Sequence, residues 1–350
     1  MNAPILCCAL LLTVLTAGCG QGSLPAPAPA TPSTAQQRTS TPKPADHSPK
    51  KLAAQHLPNP WQIHPKVISG GLPDGAAGFQ ELAGLGVKTV ISVDGAKPDV
   101  ARARKHGIRY VHLPHGYDGV PEDRMQELAK AVRDLPGKIY IHCHHGKHRS
   151  PAAAAVACVG AGLLDFTRAE PVLLAAGTSQ SYEGLYESAR EVRAFESALL
   201  DELDAEFPET AALPPLAEAM VALEHTHDHL KQVAEAGWKS LPVHPDIEPA
   251  HESLLLREHF TEMLRTDAVR EEDEKFQSLM RDSEAAAQEL EKALRAWKSA
   301  AMPADPPPAA AKAFERITAN CKSCHTTYRD VPLSRKGKQA QSAPDASGVF

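Results

Sequence analysis

Aromatic residues are scarce in this chain, 5% of 350, and its longest apolar run is the short stretch from Ile5 to Ala17. That run is too brief to span a bilayer comfortably, so it reads as the hydrophobic core of an export signal. There is no basic stripe, and the net charge is −6, which excludes nucleic acid as the main partner. No internal repeat is visible. What is present is ordinary for soluble globular protein: 43% apolar and 23% charged residues, in a chain too long for one core. Two domains with flanking segments are expected.

The apolar run ends in Leu15-Thr16-Ala17-Gly18-Cys19, small residues leading into a cysteine. This resembles the lipobox of bacterial lipoproteins, although the n-region lacks Lys or Arg and Thr stands where Leu is commoner. The resemblance implies cleavage after residue 18, a lipid on Cys19, and an exported protein anchored to a membrane facing the periplasm. Gly20 in place of Asp points to the outer membrane. The alternative is a plain signal peptide with Cys19 present by chance.

Residues 20–60 hold nine of the 30 prolines among Ala, Ser, Thr and Gln, the composition of an extended tether. An α/β domain is expected over 61–206. Its strands are Lys66–Ser69, Val87–Val93, Ile108–Leu113 and Lys138–His142. Helices are expected at Ala76–Leu85, Val100–Lys105, Pro121–Leu135, Ser150–Ala161, Arg168–Ala176 and Tyr182–Leu203. Alternation of short apolar strands with helices predicts a mostly parallel sheet flanked by helices. After the proline-rich boundary from Phe207 to Pro215 the strand signal vanishes. Four helices, Leu216–Ala236, Ala250–Leu264, Glu271–Trp297 and Ala309–Tyr328, predict an all-α four-helix bundle over 210–330. Residues 331–350 read as a disordered tail.

Between the last strand and the helix that follows lies His142-Cys143-His144-His145-Gly146-Lys147-His148-Arg149-Ser150. Amides of such a loop, together with a helix N-terminus, favour negative charge, which suits Cys143 as the nucleophile. Arg149 can hold two phosphate oxygens with its planar fork, and Ser150 can donate to the leaving thiolate. The motif resembles the Cys-x5-Arg-Ser/Thr loop of protein tyrosine and dual-specificity phosphatases, over about residues 62–200. The resemblance implies a phosphocysteine intermediate at Cys143, with His144, His145, Gly146, Lys147, His148 and Arg149 around the phosphate. It also implies an aspartic acid on a preceding loop. Asp118 is the candidate, and Asp123, in the first turn of a helix, is the second choice. Lys147 matches a lysine of some phosphoinositide phosphatases, and the loop is also similar to phosphatase-like domains fused to NAD kinases. A metal site on the histidines and a catalytically dead anion pocket remain as other readings. Cys158, fifteen residues on, reads as a core residue.

The second signature is Cys321-Lys322-Ser323-Cys324-His325. Two thiols three positions apart suit thioether bonds to haem vinyls, with the adjacent histidine on the iron. Phe314, Ile317, Cys321, Cys324 and Tyr328 share one helical stripe. Zinc wants a second ligand pair, which does not follow; a redox dithiol or a strained disulfide are the remaining alternatives. Four helices with this motif late in the last one resemble cytochrome c′. The resemblance implies one covalent haem c, His325 as proximal ligand, and a sixth position that is either open to small gases or filled by Met220. Met220 can equally be packing. His227 is a weaker candidate, and His225 and His229 are expected to be solvated.

Together these readings predict an exported, Cys-dependent phosphomonoesterase with a haem module for redox or gas sensing. Its expected partners are a phosphorylated small molecule or phosphoprotein, a redox partner or gas, and the membrane through its lipid. The competing reading is an electron-transfer or gas-binding cytochrome whose phosphatase-like part only binds an anion.

Overall fold

The structure, a computed structural model, describes residues 48–300, 302 and 305–336. The expected leader, Cys19, most of the tether and residues 337–350 lie outside the described residues. The described residues belong to one compact unit. Among the described residues no helix is long and apolar enough to cross a membrane.

The first half is a six-stranded sheet built from β1 (Lys50–Lys51), β2 (Trp61–His64), β3 (Val67–Gly70), β4 (Val87–Ser92), β5 (Arg109–His112) and β6 (Lys138–His142). The spatial order is β1-β2-β3-β6-β4-β5, with β3, β6, β4 and β5 mutually parallel and the β1–β2–β3 ribbon antiparallel. The central strands are buried along nearly their whole length, as sheets covered on both faces require. Alternation sorts their side chains. Val67, Ile91, Val111, Ile139 and Ile141 face one core, while Ile68, Val90, Tyr110 and Tyr140 face the other.

The helices of this half are α1 (Gly75–Gly84), α2 (Val100–Lys105), α3 (Glu122–Asp134), α4 (Arg149–Gly160), α5 (Ala169–Ala176), α6 (Glu183–Glu191) and α7 (Ser197–Glu202). α3 begins after Pro121 with Glu122 and Asp123 in its first turn and ends with Arg133 in its last, matching the helix dipole. α4 is buried on every side. Ala152 to Ala157 have no exposed surface, and only small side chains let this helix lie against the sheet, α3, α5 and α6 together.

The second half comprises α8 (Pro215–Glu235), α9 (Pro249–Leu264), the short α10 (Asp267–Arg270), α11 (Glu274–Ser299) and α12 (Pro308–Cys324), followed by a π-helical turn at His325–Arg329. The long helices α8, α9, α11 and α12 enclose a core that includes Leu230, Leu256, Phe260, Leu290, Leu294 and Ile317. Arg316 of α12 clamps Asp282 of α11, assisted by Asn320 at 2.7 Å. Those hydrogen bonds pull the Asp282 carboxyl down to about 2.

Four expectations are corrected. Order begins before Trp61: no proline interrupts Lys50 to Leu57, so its amides are free to bond, and His56 N donates to Glu81 Oε2 at 2.9 Å. The expected helix Tyr182–Leu203 breaks after Glu191, because Val192 is drawn into the core and Phe195 N caps Gly160 O of α4 at 3.0 Å. The helix expected from Glu271 starts at Glu274, where Asp273 accepts from Phe276 N at 2.8 Å as N-cap. Finally, the start of the tail is ordered. Leu333 N bonds Asp118 O at 2.9 Å, and Ser334 Oγ donates to Glu187 at 2.8 Å. The boundary segment likewise lies along the sheet edge, with His112 N donating to Pro208 O at 2.8 Å.

Two predictions follow from this packing. Ala154→Leu overfills the sheet–α4 interface and costs about 1–3 kcal/mol, read as a lower urea midpoint; an unchanged midpoint contradicts burial on every side. His142 is buried against Tyr110 OH at 2.6 Å, and desolvation pulls its pKa down to about 4. The unfolded chain therefore takes up this proton first, and stability present above about pH 6.5 is lost as pH falls toward 4. His142→Gln should flatten that part of the urea-midpoint profile.

Candidate functional site

The parallel register lines up Gly70, His142, Ser92 and His112 across four neighbouring strands. The residues that follow each of them therefore emerge side by side at the carboxyl edge, where open α/β sheets bind ligands. Cys143 follows β6 at its centre. It is 3% exposed, with Sγ 3.4 Å from Ser150 Oγ, and the Ser150 hydroxyl donates to Gly70 O at 2.9 Å.

The loop from His144 to His148 turns its carbonyls outward. His144 O accepts from Leu72 N at 2.9 Å, Gly146 O from Asn59 Nδ2 at 2.8 Å and Lys147 O from Thr178 Oγ1 at 2.6 Å. Among the described residues nothing accepts from the amides of residues 144–148, so those donors remain for a ligand. Gly146 has φ +70°, and a Cβ there would run into the Gly71 amide. Only glycine lets the loop close this tightly against β3.

Arg149 opens α4 with its guanidinium 4.5 Å over the Tyr117 ring, and its buried Nε has no hydrogen-bond partner. Burial works against its charge, but Tyr117, Asp94, Cys143 and Glu224 outweigh it and raise its pKa. Arg329, four residues after His325, covers the same tyrosine at 4.2 Å. Tyr182 lies 4.8 Å from both Tyr117 and His148. Burial, then His145, Lys147 and the two arginines, pulls His148 down to about 4.

The remaining expected residues divide. His144 and His145 face the cavity described below, whereas Lys147 is exposed and lies outside it, near Lys51. Asp118 is not brought to that cavity: its carboxylate accepts from Lys336 Nζ at 2.9 Å. Asp123 stays in the first turn of α3, accepting from Arg124 N at 2.8 Å. Cys158 is fully buried in the core, and burial raises its thiol to about 12. Two residues that sequence reasoning missed line the cavity instead. Asp94, 4% exposed, lies just past β4 with Oδ1 accepting from Ala96 N at 2.7 Å. His115, 9% exposed, bonds Gly116 O through Nδ1 at 2.9 Å and has a buried, unpartnered Nε2. Desolvation and Arg149 pull His115 down to about 3, so it is neutral. The available signal was position alone, just past β4 and β5.

One cavity of about 1310 Å³ is lined from both halves of the chain. Asp94, His115, Tyr117, His144, His148 and Arg149 line it from the α/β side. From the helical side it is lined by Leu216, Met220, Phe260, Phe276 and Met280, together with Cys321, Cys324 and His325. The residues fit a haem. Both thiols are free and on the cavity wall; burial raises the Cys321 thiol and takes that of Cys324 to about 11. Burial likewise holds the His325 imidazole down to about 4, leaving it neutral with a lone pair to offer. The π-helical turn that begins at His325 lies where such irregularities often mark function. Met220 lines the cavity from α8. His227 also does, but it is engaged by Thr318 Oγ1 at 3.3 Å and stacked on Phe314. His229 is paired with the buried Glu252 of α9 at 3.0 Å while its side chain stays 41% exposed.

No curated protein matches the chain. Among solved structures it is similar to P. aeruginosa TpbA, at 22% identity over 42% of this chain and 91% of that one, with a TM-score of 0.36. It is similar to the same protein in complex with phosphotyrosine, at 21% identity over 43% and 93% of the two chains, TM-score 0.36. A DUF442 protein from Shewanella putrefaciens CN-32 is similar at 19% identity over 39% and 95%, TM-score 0.33. In the helical half, residues 257–329 match the family model described as Cytochrome C', which implies haem binding for the stretch that carries Cys321, Cys324 and His325.

Proposed function

We propose that the chain is a Cys-dependent phosphomonoesterase joined to a module carrying one covalent haem c. The supporting observation is the set of unspent amides and the orphaned Arg149 Nε around the Cys143 loop, opening on the cavity that holds the haem motif. In this reading the Cys143 thiolate attacks phosphorus while the amides and Arg149 hold the non-bridging oxygens. The P–O bond to the leaving group breaks, the sulfur–phosphorus bond forms, and an acid protonates the departing oxygen. Water then attacks the phosphocysteine, releasing inorganic phosphate. The Ser150 hydroxyl, turning from Gly70 O, donates to the returning thiolate. Asp118 supplies the proton once its contact with Lys336 opens.

Cys321 and Cys324 would hold the haem by thioether bonds and His325 would bind its iron, with Met220 of the cavity wall as the candidate for a further ligand. When bound, the haem supplies redox change or gas ligation. The chain is anchored through Cys19 on the periplasmic side of a membrane, where a redox partner or gas reaches the module. The binding-only reading, a cytochrome with an anion pocket, is favoured by one observation: Asp118 is held by Lys336, away from the cavity.

Cys143→Ser should abolish phosphate release from p-nitrophenyl phosphate, and Arg149→Lys should lower kcat/KM by about 10²–10³. Equal release by wild type and Cys143→Ser removes the enzyme reading. Asp118→Asn should lower kcat by about 10²–10⁴ on an alkyl phosphate but far less on p-nitrophenyl phosphate, whose leaving group needs no proton. Denatured, acid-acetone-extracted protein should keep its haem absorbance. Replacing Cys321 and Cys324 by Ala should release it, and a wild type that loses its haem contradicts covalent attachment.

A further inference from the structure

Helix α8 crosses in front of the phosphate loop and presents two carboxylates to it. Asp228 lies 3.9 Å from His144, and Glu224 has no basic group within salt-bridge distance among the described residues. Both line the shared cavity. The Glu224 charge acts on Tyr117, Arg149 and His145, and that of Asp228 on His145. A single phosphoryl group is compensated by the loop amides and Arg149. Anything beyond it meets the α8 carboxylates.

His115, on the other wall, adds no positive charge: it is neutral, with Nδ1 bonded to Gly116 O. The cationic side chain that might have welcomed a second phosphate, Lys147, does not line the cavity. Three other basic groups there are already matched, Arg335 with Glu183, Arg329 with Asp330 and Arg124 with Glu127, while Lys322 stands beside Cys321 on α12.

We propose that the substrate is a small phosphomonoester with one phosphoryl group and a cationic body, selected by Glu224 and Asp228 of the helical half. This rests on the phosphomonoesterase reading of the Cys143 loop. Like-charge juxtaposition rejects carboxylated or multiply phosphorylated esters, so specificity comes from repulsion as much as attraction.

The test compares O-phosphoethanolamine with 3-phosphoglycerate, which place an ammonium or a carboxylate at similar reach from the phosphoryl group, using the full haem-loaded chain. Wild type should show kcat/KM at least about tenfold higher for O-phosphoethanolamine, and the ratio should shrink as salt is raised. Glu224→Gln with Asp228→Asn should bring it near one, with Glu224→Gln alone as the milder variant should the pair fail to fold. Equal rates in wild type, a preference for 3-phosphoglycerate, or a ratio untouched by both salt and substitution overturns the proposal. Should wild type release no phosphate from any ester, the enzyme reading fails instead. Calorimetric binding of the same two esters then decides selectivity: tighter O-phosphoethanolamine supports it, and equal or reversed affinity overturns it.

Discussion

Parallel pairing of β6 between β3 and β4 is the constraint on which everything else depends. Because Gly70, His142 and Ser92 stand in register, Cys143 emerges between the Gly70-Gly71 turn and the Asp94 loop. The glycine turn takes the loop carbonyl of His144 through Leu72 N, and Gly70 O takes the Ser150 hydroxyl. Shift that register by one residue and every strand side chain changes face, and the loop loses the partners that turn its carbonyls outward.

A second consequence is that the two kinds of chemistry share one space. His144, His145, His148 and Arg149 of the Cys143 loop and an apolar wall bearing two thiols and an imidazole bound the same cavity. Tyr117 lies between them, with Arg149 of the Cys143 loop on its ring and Arg329, four residues after His325, also against it. Cation–π contact with a largely buried ring holds Arg149 without neutralising it, whereas Arg329 is also paired with Asp330. Arg149 thus stays charged for an oxyanion, and its environment includes the helical half.

Much of the fold was legible because its signals are local. The β-branched run at Val87–Ser92 and the period of Phe276, Leu290, Leu294 and Trp297 need no distant partner to be read. Misreadings occurred where a long-range contact overrode propensity. Val192 leaves a helical pattern because the core takes it and because Phe195 N finds Gly160 O, which no local window contains. Likewise, Leu333 to Lys336 look like tail until Asp118, Glu183 and Glu187 are there to meet them.

The site shows the same division. By itself the sequence determined which atoms the proposed chemistry would use: a thiol and guanidinium six residues apart on a strand–helix loop, and two thiols with a histidine on a helix end. Such spacings are set by the chain itself. Only the tertiary structure decided what those groups face. It turned Asp118 toward Lys336, brought Asp94 and His115 to the cavity, left Lys147 outside, and set Glu224 and Asp228 opposite the loop. Those outcomes depend on how one surface is laid against another, and burial and charge at such a surface belong to both partners at once.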